Sequence, residues 1–228
     1  CHYKLIADID LSDWGNWVPI GATDAYGFMA GRYDKAEKGA FSFQGSLNGD
    51  GHVISGMQIV INEETPHLTE GANFRAYGLF GNLATNPTKY KIQNLGVVNF
   101  NIDVNYTNLK NEVNLYAGAI CGGMNNGTDI YNCYSRGGKI SIKIKGTEEY
   151  RIKEKYGRFS SNVPLIHVRV GGICAYGVHN STGTYAYYCK NEGDITVTDG
   201  KISVSANNAA QLMMYAIALN SGAFTYRG

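Results

Sequence analysis

The residues able to do chemistry in this chain are five cysteines, five histidines, a scatter of aspartates and seventeen tyrosines. Cys1, Cys121, Cys133, Cys174 and Cys189 contain no C-x-x-C pair, and none stands beside a histidine at zinc-finger spacing, so their pattern does not build a metal centre. His2, His52, His67, His167 and His179 are dispersed and read as surface or turn residues. Asp8, Asp10 and Ser12 hold positions 1, 3 and 5 of a calcium loop, but Asp13 stands where the sharp turn needs glycine and Pro19 where the bidentate glutamate belongs. These acidic groups are read as facing solvent or accepting hydrogen bonds in a turn, with Leu5, Ile9 and Leu11 facing inward. Asp50, Asp103, Asp129 and Asp194 could in principle supply the paired carboxylates of glycoside cleavage, yet they share no common sequence frame. No GxSxG, HExxH or Walker string occurs. The expected inventory is therefore no catalytic residue, no metal and no cofactor. Tyr131, Tyr134, Tyr185 and Tyr187 remain as candidate ligand-binding residues, since an aromatic ring packs on the apolar face of a sugar, although tyrosine also belongs naturally on a sheet surface.

A repeat must position these side chains. Gly78-Leu79-Phe80-Gly81 returns as Ala119-Ile120-Cys121-Gly122, as Gly172-Ile173-Cys174-Ala175 and, worn down, as Ala216-Ile217-Ala218-Leu219. A second motif follows: Ile92-Gln93-Asn94-Leu95, then Ile130-Tyr131-Asn132-Cys133, then Tyr188-Cys189-Lys190, with Ile54-Ser55-Gly56-Met57 read as an earlier copy. Met57 to Leu95 and Leu95 to Cys133 are each 38 residues, and Cys133 to Cys189 is 56, the excess falling in the charged stretch around 146–163. A near-constant period with loop-sized exceptions marks stacked repeats. A third strand per repeat alternates: Ile102 and Val104, Ile140 and Ile142, Ile195 and Val197 point one way and polar residues the other. Connections of variable length are expected at 62–75, 105–114, 145–166 and 199–212. Asn48-Gly49-Asp50-Gly51 supplies a tight corner and lacks the spacing of a phosphate loop.

The expected fold is all-β, a right-handed parallel β-helix (β-solenoid) with three short strands per coil and long loops along one edge. It forms a single domain over 1–228, with coils near 41–75, 76–115, 116–168 and 169–212 and a partial coil at 213–228. The frame sets Cys121 level with Cys174 and Cys133 level with Cys189. Neighbouring strands lie about 4.8 Å apart, a separation that suits either a disulfide or a column of unbonded buried thiols. The Trp14 and Trp17 pair is read as a lid over the first coil.

Composition narrows the partners. The net charge is +1, which gathers neither nucleic acid nor an anionic membrane, and no apolar run approaches the roughly 18 residues of a membrane span. Only 17% of residues are charged, against roughly 25% in ordinary soluble domains, while the 29 glycines suit tight corners.

The motifs resemble the GLUG-repeat family of bacterial secreted and cell-surface proteins. The matching residues are Leu5 to Leu11, Pro19-Ile20-Gly21, Phe43 to Ile54, Tyr77 to Gly81, Ile92 to Gly96, Ala117 to Gly122, Ile130 to Gly137 and Gly171 to Cys174. That resemblance implies a β-helix at an extracellular or bacterial cell-surface location, in adhesin-like chains or accessory regions of immunoglobulin-cleaving metallopeptidases. It carries no catalytic residue. The partners expected are a host surface protein or a glycan, together with contiguous domains of the same parent chain. The competing expectation is a carbohydrate-active β-helix enzyme, a polysaccharide lyase or glycosidase.

Overall fold

The computed structural model describes residues 1–21, 42–65, 74–83, 90–109, 113–124, 128–146, 151–152, 165–177, 185–198, 203–206 and 225–227. The fourth copy at Ala216 to Leu219 and the 22–40 segment lie outside them. The described residues are all-β, and none forms a helix long and apolar enough to cross a membrane.

Short strands are laid down in successive passes. The first pass gives β1 (His2–Lys4) and β2 (Ile9–Asp10). The second gives β3 (Ser46–Asn48), β4 (Val53–Ser55), β5 (Gln58–Ile61), β6 (Phe74–Tyr77) and β7 (Phe80–Leu83). The third gives β8 (Tyr90–Gln93), β9 (Gly96–Val98), β10 (Asn101–Leu109), β11 (Val113–Gly118) and β12 (Cys121–Met124). The fourth gives β13 (Thr128–Tyr131), β14 (Tyr134–Gly146), β15 (Arg151–Ile152), β16 (Leu165–Gly171) and β17 (Cys174–Gly177). The last described strands are β18 (Tyr185–Tyr187), β19 (Lys190–Thr198), β20 (Ser203–Ala206) and β21 (Thr225–Arg227).

Apart from β15 with β16 and β19 with β20, each strand pairs with its counterpart in a neighbouring pass and not with its neighbour in sequence. One sheet has the order β1-β3-β8-β13-β18-β21, and a second runs β2-β4-β9-β14-β10-β5 with β19 on β14 and β20 on β19. Two smaller sheets run β15-β16-β11-β6 and β17-β12-β7. Among the described residues every strand pairing is parallel except β19 with β20. Parallel neighbours in separate passes rule out a sandwich of antiparallel hairpins, in which strands adjacent in sequence pair with one another.

Register follows from burial. Leu47, Ile92, Ile130 and Ala186 lie level across the first sheet, and all are buried. Ile59, Ile102 and Ile140 do the same in the second, as do Phe80, Cys121 and Cys174 in the smallest. All of these belong to one hydrophobic cluster. A one-residue slip would turn each such row to solvent, which is why the pairing holds despite unequal connections. Leu95, Cys133 and Cys189 are level as expected: the Tyr134 N–H donates to Leu95 O at 3.0 Å and the Lys190 N–H to Cys133 O at 3.1 Å.

Five expectations need correction. Met57 is not level with Leu95: Val53 pairs with Gly96, which places His52 opposite Leu95, and the Asn101 N–H bonds Met57 O, which places Met57 beside Phe100. A pass carries five strands and not three, because the alternating strand is followed by two more, as in β11 and β12. The 105–114 stretch is largely strand: the inward row Ile102 and Val104 continues through buried Tyr106, and β10 stays paired with β14 out to Leu109. Ile9 is 38% exposed, because on a two-residue edge strand only Leu5 and Leu11 reach the core. Of the tryptophan pair, Trp17 packs on the core and donates Nε1–H to Leu79 O, whereas Trp14 stays exposed.

The repeating Gly-rich motif also shifts by one residue. Phe80, Cys121 and Cys174 are level, but upstream Gly78 is level with Gly118 and Gly171, so the corner is one residue shorter in the first copy.

Candidate functional site

The corner between the first two sheets brings two exposed tyrosines together with charged side chains. Strand β13 turns Ile130 inward and Tyr131 outward, the chain then bends at Asn132 with a φ of 50°, and Cys133 re-enters the core. A pass earlier the same bend is made by Asn94 with a φ of 53°. Asparagine accepts this left-handed backbone better than most residues, and here it gains a second benefit. Asn94 Nδ2 donates to Asn48 Oδ1 at 3.1 Å and Asn132 Nδ2 to Asn94 Oδ1 at 2.8 Å, an amide ladder running from pass to pass.

At the next rung the ladder stops. Tyr188 occupies the position with a φ of 52° and is 67% exposed. A left-handed backbone costs a bulky L-residue about 1–2 kcal/mol, and this ring recovers little of that by burial. It instead meets Tyr131 edge-to-face, with centroids 5.5 Å apart and planes at 84°. Tyr187, level with Tyr131, is half-buried.

Charged groups flank the pair. Tyr134 lies half-buried, its ring filling the space above Gly96, where an added Cβ would sit 2.5 Å from Cζ. The Arg136 guanidinium carbon is 5.1 Å from the centre of that ring. Arg136 Nε contacts Glu192 Oε2 at 2.6 Å, and Lys190 Nζ contacts Oε1 of the same carboxylate. Lys190 and then Arg136 hold the Glu192 carboxyl below its ordinary range, and Glu192 in turn raises Arg136.

Of the candidate tyrosines, Tyr131, Tyr134 and Tyr187 thus meet at one corner, with Tyr134 packed as a structural ring. Tyr185 lies on β18 opposite Asp129 in the backbone register, and its side chain is outside the described residues. Tyr188 belongs to the same tyrosine-rich stretch, Tyr185 to Tyr188, but is not among the four candidates read from the sequence. The signal for it was present, since it stands where Asn94 and Asn132 stand in the two preceding copies.

Cys121 lies level with Cys174 and Cys133 with Cys189, and none of the four buried thiols is in a disulfide; Cys1 is exposed and likewise not in a disulfide. Burial pushes the Cys121 thiol up. Cys133 is raised and Cys189 lowered by the hydrogen bond between their own thiols.

The acidic residues are dispersed over several strands. Asp8 Oδ1 accepts from the Val53 N–H at 3.0 Å and contacts His52 Nδ1 at 2.9 Å, while Asp10 accepts from both the amide and the hydroxyl of Ser12. Asp50 pairs with Lys4 at 2.8 Å, Asp103 lies on β10 and Asp129 is buried on β13. The Asp194 side chain is outside the described residues. Among the described residues no three His, Cys, Asp or Glu side chains are grouped to hold a metal ion. Tyr77 and Tyr106 touch hydroxyl to hydroxyl at 3.3 Å, and burial raises both phenols, so they stay protonated at neutral pH.

No family model, no curated protein and no solved structure matches the chain.

Proposed function

We propose that this chain is a non-catalytic, adhesin-like module of the GLUG-repeat kind, wound as a right-handed parallel β-helix and working outside the cell or on a bacterial surface. Its ligand is a glycan, held at the corner where Tyr188 and Tyr131 project. The wound fold is supported by the recurring order of strands, their parallel pairing across passes and their shared core. The binding role rests on one observation: an exposed aromatic ring retained on a left-handed backbone where the preceding passes carry asparagine. Local strain that the surrounding fold does not need is a mark of a functional residue. The ring offers an apolar face for a pyranose, and Asn132, Lys190, Arg136 and Glu192 supply hydrogen-bonding groups around it.

Two substitutions separate binding from folding. Tyr188→Asn removes the strained aromatic and lets the amide ladder gain a rung, so it should stabilise the protein by about 1 kcal/mol, read as a rise in the urea midpoint. The same variant, and Tyr188→Ala, should lose glycan binding by about tenfold or more on an oligosaccharide array, equivalent to roughly 1.4 kcal/mol. Absence of any bound glycan for the unaltered chain, or equal binding by the variants, would refute the site. Release of cleaved sugar would transfer the protein to the carbohydrate-active enzymes.

A further inference from the structure

The four core thiols fall into two pairs with unequal surroundings. Cys121 and Cys174 are paired in register inside the smallest sheet, and every residue from Leu115 to Met124 and from Arg169 to Ala175 is buried. Cys133 and Cys189 sit at the edge of the core. Each follows an exposed left-handed residue, Asn132 or Tyr188, and Lys190 beyond Cys189 is exposed as well.

We propose that Cys133 and Cys189 form a redox-active dithiol that a small-molecule disulfide converts to a cross-strand disulfide, while Cys121 and Cys174 remain reduced. Geometry carries the proposal. The two cysteines are level on adjacent parallel passes, one residue before the register pair Tyr134 and Lys190. Adjacent strands lie about 4.8 Å apart, within the Cα separation of about 4.4–6.8 Å that a disulfide tolerates. Their thiols are already hydrogen-bonded to each other. Each sulfur also rests on the carbonyl two residues upstream, Cys133 Sγ on Tyr131 O at 3.3 Å and Cys189 Sγ on Tyr187 O at 3.2 Å, so the two side chains take the same orientation on adjacent passes.

The step balances. Cys189, whose thiolate is held by the Cys133 S–H, gives its proton to solvent and attacks one sulfur of the donor disulfide, expelling a thiolate. Cys133 then loses its proton and attacks the Cys189 sulfur of the mixed disulfide, expelling the second donor thiol. Two protein thiols are oxidised by two electrons, and one donor disulfide is reduced to two thiols. At 1% and 2% exposure the pair is reached by opening of its own corner, where the strained Tyr188 backbone favours local release.

The experiment uses the chain carrying Cys1→Ser, which removes the exposed thiol and leaves four of the five. After incubation with oxidised glutathione, the thiols titrated in denaturant should fall from four to two. Non-reducing peptide mapping should join the Cys133 and Cys189 peptides with the loss of two hydrogens, and dithiothreitol should restore four thiols. Retention of four thiols, stable glutathione adducts without a cross-link, or a link between Cys121 and Cys174 would each overturn the proposal.

Discussion

Gly118→Ala should lower the stability of this protein by about 3 kcal/mol, the upper end of what overpacking a buried site costs. A Cβ on Gly118 would lie 2.5 Å from Cys121 O, 2.9 Å from Ile173 O and 2.9 Å from the Cα of Cys174, all backbone atoms of its own and the neighbouring pass. Side chains can rotate away from an added methyl, whereas paired backbone cannot without breaking its register. The level glycines show the same squeeze, with Gly78 at 2.3 Å from Gly118 O and Gly171 at 2.1 Å from Cys174 O. None of the three has a positive φ, so space and not backbone conformation demands the glycine. Gly51→Ala is the contrast: φ is +86° there but nothing lies within 4 Å, so only the conformational cost of about 1–2 kcal/mol applies. Denaturant midpoints for the two variants test this, and equal losses would contradict it.

The second large effect is at Phe100. Its ring occupies the space left by Gly138 on the neighbouring strand, where an added Cβ would lie 2.0 Å from Cε1. Phe100 is 3% exposed, and Phe100→Ala should cost about 3–5 kcal/mol. Gly138→Ala alone should cost about 2 kcal/mol, because a buried ring must shift. In the Phe100→Ala background the new methyl enters the vacated space, so Gly138→Ala should become nearly neutral. The double-mutant cycle should therefore show a coupling of about 2 kcal/mol, and simple additivity would disprove the contact.

Much of the fold was legible because burial repeats in the sequence. The 38-residue step from Leu95 to Cys133 is a real rung, as are the Phe80, Cys121 and Cys174 row and the isoleucine rows of β10 and β14. The earlier copy was misplaced because the residue level with Leu95 is His52, a polar turn residue that no apolar pattern picks out. Ile54-Ser55-Gly56-Met57 imitates the motif, yet Met57 starts the next inward row past the bend at Gly56, whose φ is 73°. The extra strands of each pass were hidden because corners such as Gly118 to Cys121 are made by close packing with few turn residues. At the candidate site the tyrosines were visible as a composition, while the choice of Tyr188 needed the backbone dihedral and the asparagine ladder behind it.

The strand order has a mechanical meaning. β1 and β21 occupy opposite edges of the same sheet. Tension applied between them pulls across the strands, along the hydrogen bonds, and so loads one pass at a time where a shearing pull would load a whole row together. Each release frees a pass of the order of 38 residues, roughly 130 Å of extended chain. A stack built this way yields in small steps at low force and dissipates work with each one, and the corner formed by Tyr131 and Tyr188 stays folded until its own pass is reached.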